Sequence, residues 1–148
     1  MPLLQNPTRE FTRIYSLGAS RGHLTVTNDD VAGPIDSSDE WIRQRTGIVT
    51  RKRAPENQSL IDMAVEASNE AIKKAGISPS QIGAVILATI TFPYQTPSGA
   101  TLLADRVGAN GAAAFDISAA CAGYCYGIAQ ADALIRAGQA EYLSLIHI

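Results

Sequence analysis

The sequence predicts an α/β fold, a mainly parallel sheet with helices on both faces. Three observations carry this expectation. The apolar run at 84–90 is continuous, as strands covered on both sides are, and 112–117 reads as another buried strand. Helix-period segments at 61–75, 98–107 and 121–137 alternate with those runs. The 148 residues are 46% hydrophobic and 18% charged, a composition that supports one cored domain and excludes wholesale disorder.

The elements follow in order. A period-two run, Thr12 to Leu17, ends at Gly18 and reads as a first strand. Ser37 with Glu40 three residues later is a capping-box pattern that opens a short helix from Trp41 to Arg45, stopped by Gly47. Ile48 to Arg53 reads as a strand, and Ala54-Pro55-Glu56-Asn57 as a turn. Ser59 caps the most regular helix, in which Ile61, Ala64, Val65, Ala71, Ile72 and Ala75 keep the 3.6 period until Gly76. Ser78-Pro79-Ser80-Gln81 is a second capping box. Then come the strand 84–90, a proline-bearing loop from Phe92 to Pro97, a helix from Ser98 to Val107 closed by Gly108, and the strand 112–117. A helix from Cys121 to Ala137, Gly138 after it, and a strand starting at Tyr142 complete the pattern.

Composition excludes several function classes. Twelve Lys and Arg against fourteen Asp and Glu give a net charge of -2, without the basic excess of a general nucleic-acid binder. No run approaches the roughly 18 apolar residues of a membrane span, and no secretion signal opens the chain. Two cysteines cannot make a disulfide framework. A cytoplasmic protein is expected.

The ends read differently from the middle. Residues 1–12 contain Pro2 and Pro7 and no periodicity, the pattern of a flexible tail. Leu143 to Ile148 stop inside an apolar run without a turn or cap. A transposase end sequence used in preparing DNA libraries can encode that hexapeptide. Residues 144–148 are therefore expected to be a non-native scar on a truncated gene, the alternative being an authentic edge strand.

The stretch Ser118-Ala119-Ala120-Cys121-Ala122-Gly123-Tyr124 follows one apolar strand and opens a helix, which puts Cys121 on the elbow. A cysteine there meets the partial positive charge of a helix start, which favours thiolate over thiol. Backbone N–H groups of a first turn can hold an oxyanion, and the small neighbours leave room for a substrate. The same cysteine among alanines also fits a small core residue. Cys125 lies four residues on; with His23 and His147 distant and no third ligand evident, the pair does not make a zinc site, and its spacing is not Cys-x-x-Cys. From Trp41 to Pro55 there are five basic residues (Arg43, Arg45, Arg51, Lys52, Arg53) and no acidic one, against seven basic and fourteen acidic elsewhere. A Trp inside such a window suits a phosphate-bearing ligand with an aromatic ring, and a solvated charged face accounts for it equally.

Three segments, Asp36-Ser37-Ser38-Asp39-Glu40-Trp41-Ile42, Arg45-Thr46-Gly47-Ile48 and Ala114 to Tyr124, lie in the order and spacing of one family. Together they resemble 3-oxoacyl-acyl-carrier-protein synthase III, the initiating ketosynthase family of type II fatty-acid synthesis within the thiolase-like superfamily. The resemblance covers residues 13–143 and implies the N-terminal half of a pseudo-symmetric, layered thiolase-like fold, with the C-terminal half missing. It implies that Cys121 accepts an acetyl or short branched acyl group from coenzyme A. It also implies that Trp41 stacks on the adenine, that Arg45 contacts the phosphate end, and that Ser37, often Thr in the family, lies near the adenine. Thr96 matches a position, often a large aromatic, that reaches across a homodimer and sets acyl-chain length. Acyl-CoA and malonyl-acyl-carrier protein are the implied partners, with no metal and no resident cofactor.

Two departures stand out. Gly22 and His23 occupy a loop where the family commonly has Pro. No residue here matches the His and Asn that hold the malonyl thioester, and His147 lies outside their motif. A priming ketosynthase of a polyketide pathway and a non-catalytic CoA-binding module are the alternatives.

Overall fold

The structure is a computed structural model and describes residues 8–148; the first seven residues of the expected tail lie outside the described part. The chain divides into a smaller unit, Arg21–Ser59, and a larger one formed by Leu60–Ile148 with the segment up to Ser20.

In the smaller unit, β1 (Leu24–Thr27) pairs antiparallel with β2 (Thr50–Arg53), Leu24 opposite Arg53 and Thr27 opposite Thr50. Between them lie α1 (Asp29–Ala32), a 3-10 turn (Gly33–Ile35) and α2 (Asp39–Thr46). The residue that caps α2 is Ser38, not Ser37. Its extended backbone (φ -142°, ψ 159°) brings the side-chain oxygen to the Trp41 N–H at 3.1 Å. Glu40 then accepts from Gln44 Nε2 at 3.0 Å one turn along the helix and does not complete a capping box. β1 and α1 are too short, at four residues each, for a period to announce them.

The larger unit is the predicted alternation. It runs α3 (Leu60–Ala75), β3 (Ile82–Ala88), α4 (Gly99–Val107), β4 (Ala113–Ile117), α5 (Gly123–Arg136) and β5 (Tyr142–His147). The sheet order is β4-β3-β5 and both pairs are parallel. Central β3 is buried along nearly its whole length, as its continuous apolar run requires. Its alternation assigns the two faces. Val85 and Leu87 pack with Ile61 and Ala64 of α3 and Leu103 and Val107 of α4. Ala88 faces the other way, against the start of α5. Val85, Leu87 and Leu103 are fully buried, each worth about 1.5–3 kcal/mol. The second capping box forms, but it opens only a 3-10 turn, Pro79–Gln81. Gly47, Gly76, Gly108 and Gly138, expected to end helices, all adopt positive φ.

The first expected strand does not form. Residues 12–17 are not part of any sheet; with residues of α3, α5 and β5 they line a groove of about 540 Å³. Their polar groups turn to α3 for partners. Ser16 Oγ donates to the Ala71 carbonyl at 2.8 Å, and Lys74 Nζ to the Leu17 carbonyl at 3.0 Å. Arg9 is tied to α5 and to Glu141, its N–H on the Arg136 carbonyl and its guanidinium 3.3 Å from Glu141; Thr12 donates to Asp132. β5 includes residues 144–147, with Leu145 opposite Ile86.

Candidate active site

Cys121 lies in a 3-10 turn, Ala120–Ala122, that carries the chain from the end of β4 into α5. The turn is sharp because Ala119 leaves the regular regions (φ -143°, ψ 21°) and Ala120 is left-handed, with φ 45°. A left-handed alanine costs about 1–2 kcal/mol, so the surrounding packing must hold it there. Gly123 supplies part of that packing. A Cβ on it would sit 3.0 Å from the Ala88 side chain, so its small size is what lets α5 start directly on β3. The result is an exposed Cys121 at the mouth of a 14-residue helix. Cys125 is also exposed.

Within the turn, the Ala122 N–H donates to the Ala119 carbonyl and the Gly123 N–H to the Ala120 carbonyl. Those two donors are engaged within the turn. His147 Nε2 lies 3.1 Å from the Ala120 carbonyl, and its ring is 6.3 Å from that of Tyr124. That contact braces the elbow through a backbone carbonyl.

Sequence reasoning missed Asp116. Its two carboxylate oxygens accept the N–H groups of Gly99 and Ala100, each at 2.8 Å, and so clamp the start of α4 to β4 five residues before Cys121. An Asp inside an apolar strand was the available signal, since a buried carboxylate needs donors. Thr96 is exposed in the loop before α4, the loop that also holds the Phe92–Tyr94 ring pair. The 540 Å³ groove beside the N-terminal segment is lined without Cys121 or Thr96.

Trp41 and Arg45 lie one turn apart on α2 in the smaller unit. The Arg45 guanidinium sits 5.0 Å from the Trp41 ring centroid, and the indole is 51% exposed. This is a cation-π pair with the ring still open to a ligand. Three of the other four basic residues of the window bond within the chain, while Arg43, Lys52 and Arg53 stay exposed. Arg43 pairs with Asp39 at 2.6 Å, Arg51 donates to the Thr27 carbonyl and Asn28, and Lys52 donates to Thr25 Oγ1. The Arg43 guanidinium, and after it the Asn28 amide, hold the Asp39 carboxyl below its ordinary range. Ser37 donates its N–H to the Ala32 carbonyl, while its hydroxyl oxygen is buried and has no hydrogen-bond partner among the described residues. Thus the structure joins Trp41 with Arg45, and places Cys121 and Thr96 in the other unit. Among the described residues, no group of three or more His, Cys, Asp or Glu is disposed to hold a metal ion, and no helix is long and apolar enough to cross a membrane.

Comparison with known proteins gives this geometry its context. Over 144 residues the chain is 54% identical to a beta-ketoacyl-[acyl-carrier-protein] synthase III of Kocuria rhizophila, a match covering 97% of this chain and 41% of that protein. The crystal structure of 3-oxoacyl-[acyl-carrier-protein] synthase III from Aquifex aeolicus superposes with a TM-score of 0.85 at 40% identity, over 93% of this chain and 44% of the other. The priming beta-ketosynthase of the R1128 polyketide pathway superposes with a TM-score of 0.86 at 37% identity, over 94% and 42%. The chain thus spans about two-fifths of the length of the proteins it matches. Residues 43–145 match the family described as thiolase, N-terminal domain, and with a layered α/β fold of the same kind the chain belongs to the thiolase family.

Proposed function

We propose that this chain is the acyl-accepting part of a 3-oxoacyl-acyl-carrier-protein synthase III, which initiates type II fatty-acid synthesis. The observation that carries the reading is Cys121, exposed on a strained strand-to-helix elbow in a chain whose relatives bear that name. Trp41 and Arg45 would receive the adenine and phosphates of coenzyme A, one by stacking and the other by forked hydrogen bonds, with Ser37 beside the adenine. Thr96 would border the acyl chain across a homodimer. Acyl-CoA is a substrate here, and the chemistry calls on no metal or resident cofactor. The setting is the cytoplasm.

In the first half-reaction the Cys121 thiolate attacks the thioester carbonyl of acyl-CoA. The tetrahedral oxyanion collapses, the carbon–sulfur bond to CoA breaks, and CoA leaves as its thiolate to take up a proton. With the N–H groups of Ala122 and Gly123 engaged, the N–H of Cys121 itself is the elbow's donor to that oxyanion. In the second half-reaction malonyl-acyl-carrier protein loses carbon dioxide, and the carbanion attacks acyl-Cys121. That bond breaks to release 3-oxoacyl-carrier protein and regenerate the thiolate. The second step calls on the His and Asn that no residue of this chain matches, so the 148-residue chain is expected to carry out the first half only.

The experiment is a pair of assays on the pure chain. Acetyl-CoA should release free CoA in an amount that does not exceed the protein, and added malonyl-acyl-carrier protein should give no acetoacetyl product. Absence of CoA release, or formation of acetoacetyl-carrier protein, overturns the proposal. The likeness to the R1128 priming enzyme favours a second reading, priming of a polyketide chain. A panel of carrier proteins offered to the full-length enzyme separates the two pathways by which carrier is used.

A further inference from the structure

The helix that carries Trp41 and Arg45 is poorly anchored by its own sequence. α2 has eight residues, below the roughly 12–15 at which an isolated helix becomes even marginally stable, and its one buried residue is Ile42. Something other than apolar burial must fix its position. The structure supplies a buried polar side chain, Asn28, which is 1% exposed.

Asn28 begins α1 with its backbone, its carbonyl accepting from the N–H groups of Val31 and Ala32. Its side chain takes no part in capping that helix. Instead its Nδ2 donates to Asp39 Oδ1 at 2.7 Å and to the Ile48 carbonyl at 2.8 Å. Its Oδ1 accepts from Arg51 Nη2 at 2.5 Å. Asp39 opens α2, Ile48 follows the C-cap Gly47, and Arg51 belongs to β2. One amide therefore grips both ends of α2 and ties them to the strand pair. Both amide protons are used, so neither a carboxylate nor a hydroxyl can reproduce the arrangement.

We propose that Asn28 is the positioning residue of the coenzyme site: it sets the orientation of α2 and hence of the Trp41–Arg45 pair, without touching the ligand. The proposal rests on the reading of that pair as the coenzyme A site. It adds a specificity element outside the segments that carried the family resemblance.

The test uses the chain's single Trp as a built-in reporter. In Asn28→Ala, CoA should bind about tenfold more weakly than to the unaltered chain, with far-UV circular dichroism and the alkylation rate of Cys121 unchanged. The emission maximum and iodide quenching of Trp41 should shift even without ligand. Asn28→Asp alone should bind at least as poorly, because it faces the Asp39 carboxylate. Combined with Asp39→Asn it regains one amide–carboxylate contact, and affinity should return to within about threefold. Asn28→Ala binding within twofold of the unaltered chain, or a double variant no better than Asn28→Asp, overturns the proposal. If Asn28→Ala does not fold, NMR of the unaltered chain decides. Two separate, exchange-protected side-chain amide protons are expected for Asn28, and a rapidly exchanging pair overturns the claim. If the unaltered chain does not bind CoA, the coenzyme reading falls by itself. The Trp41 emission of Asn28→Ala then still tests Asn28, an unchanged spectrum refuting it.

Discussion

Replacing Asp116 with Ala should destabilise the larger unit more than any ordinary surface change. The carboxylate accepts two backbone N–H groups, from Gly99 and Ala100, at 2.8 Å each. Gly99 is buried and Ala100 is 0% exposed, so neither donor can turn to water when the acceptor is removed. A buried donor left unpaired costs about 1–3 kcal/mol. The first turn of α4 keeps its Ser98 cap on Thr101, which limits the damage to these two groups. The expected loss is therefore about 2–4 kcal/mol. Asp116→Asn keeps one acceptor oxygen but turns an NH₂ toward the other donor, for a loss of about 1–2 kcal/mol. Urea unfolding followed by circular dichroism measures both. With a slope of about 1–3 kcal/mol per molar, the Ala variant should lower the midpoint by about 0.7 M or more. A midpoint for Asp116→Ala within about 0.3 M of the unaltered chain would refute the claim that this carboxylate clamps α4 to the strand leading to Cys121.

Other expectations follow from the same geometry. Ala120→Val should destabilise by a further 1–2 kcal/mol or so, because a β-branched side chain tolerates the left-handed region worse than alanine, whereas Ala120→Gly should be neutral or slightly stabilising; thermal unfolding of the two variants tests this. Three carboxyls are held below their ordinary range: Asp30 by the Thr27 hydroxyl and N–H, Asp39 by Arg43 and Asn28, and Glu70 by Lys74 and the Ala19 N–H. A lowered folded value means stability that is complete above about pH 4–5 and disappears as pH falls through the lowered values. Acid titration of Glu70→Gln should accordingly show a shallower loss over that window than the unaltered chain, and an unchanged acid profile would contradict the assignment. Trp41→Ala should weaken CoA binding about tenfold, and Arg45→Ala by a similar factor that shrinks in high salt, both read by isothermal titration.

The larger unit was legible in the sequence because its signals are local and redundant. β3 is an unbroken apolar run, α3 keeps its period for sixteen residues, and left-handed glycines follow α3, α4 and α5. Where the reading failed, the deciding partner lay elsewhere in the chain. Residues 12–17 have a strand's alternation but no neighbour to pair with. Ser37 and Ser38 both precede an acidic pair, and only backbone dihedrals choose Ser38 as the cap. The elbow at Cys121 was recognisable from the change of period around it, while the strain at Ala120 and the Asp116 clamp were not, since each depends on contacts between elements. The basic window misled in part. Its charge was visible, but Arg43 pairs with Asp39 and Arg51 and Lys52 bond to Asn28 and Thr25, while Arg45 is the member of the window that lies over Trp41.

The whole account rests on acyl uptake at the elbow, and peptide mapping by mass spectrometry of the folded chain after incubation with acetyl-CoA tests it most directly. The acetyl group should be found on Cys121, not on Cys125, and should be absent from a Cys121→Ser variant incubated for the same short time. An unmodified Cys121 in a chain whose circular dichroism and single unfolding transition confirm the fold, or an equal load on Cys125, would contradict it.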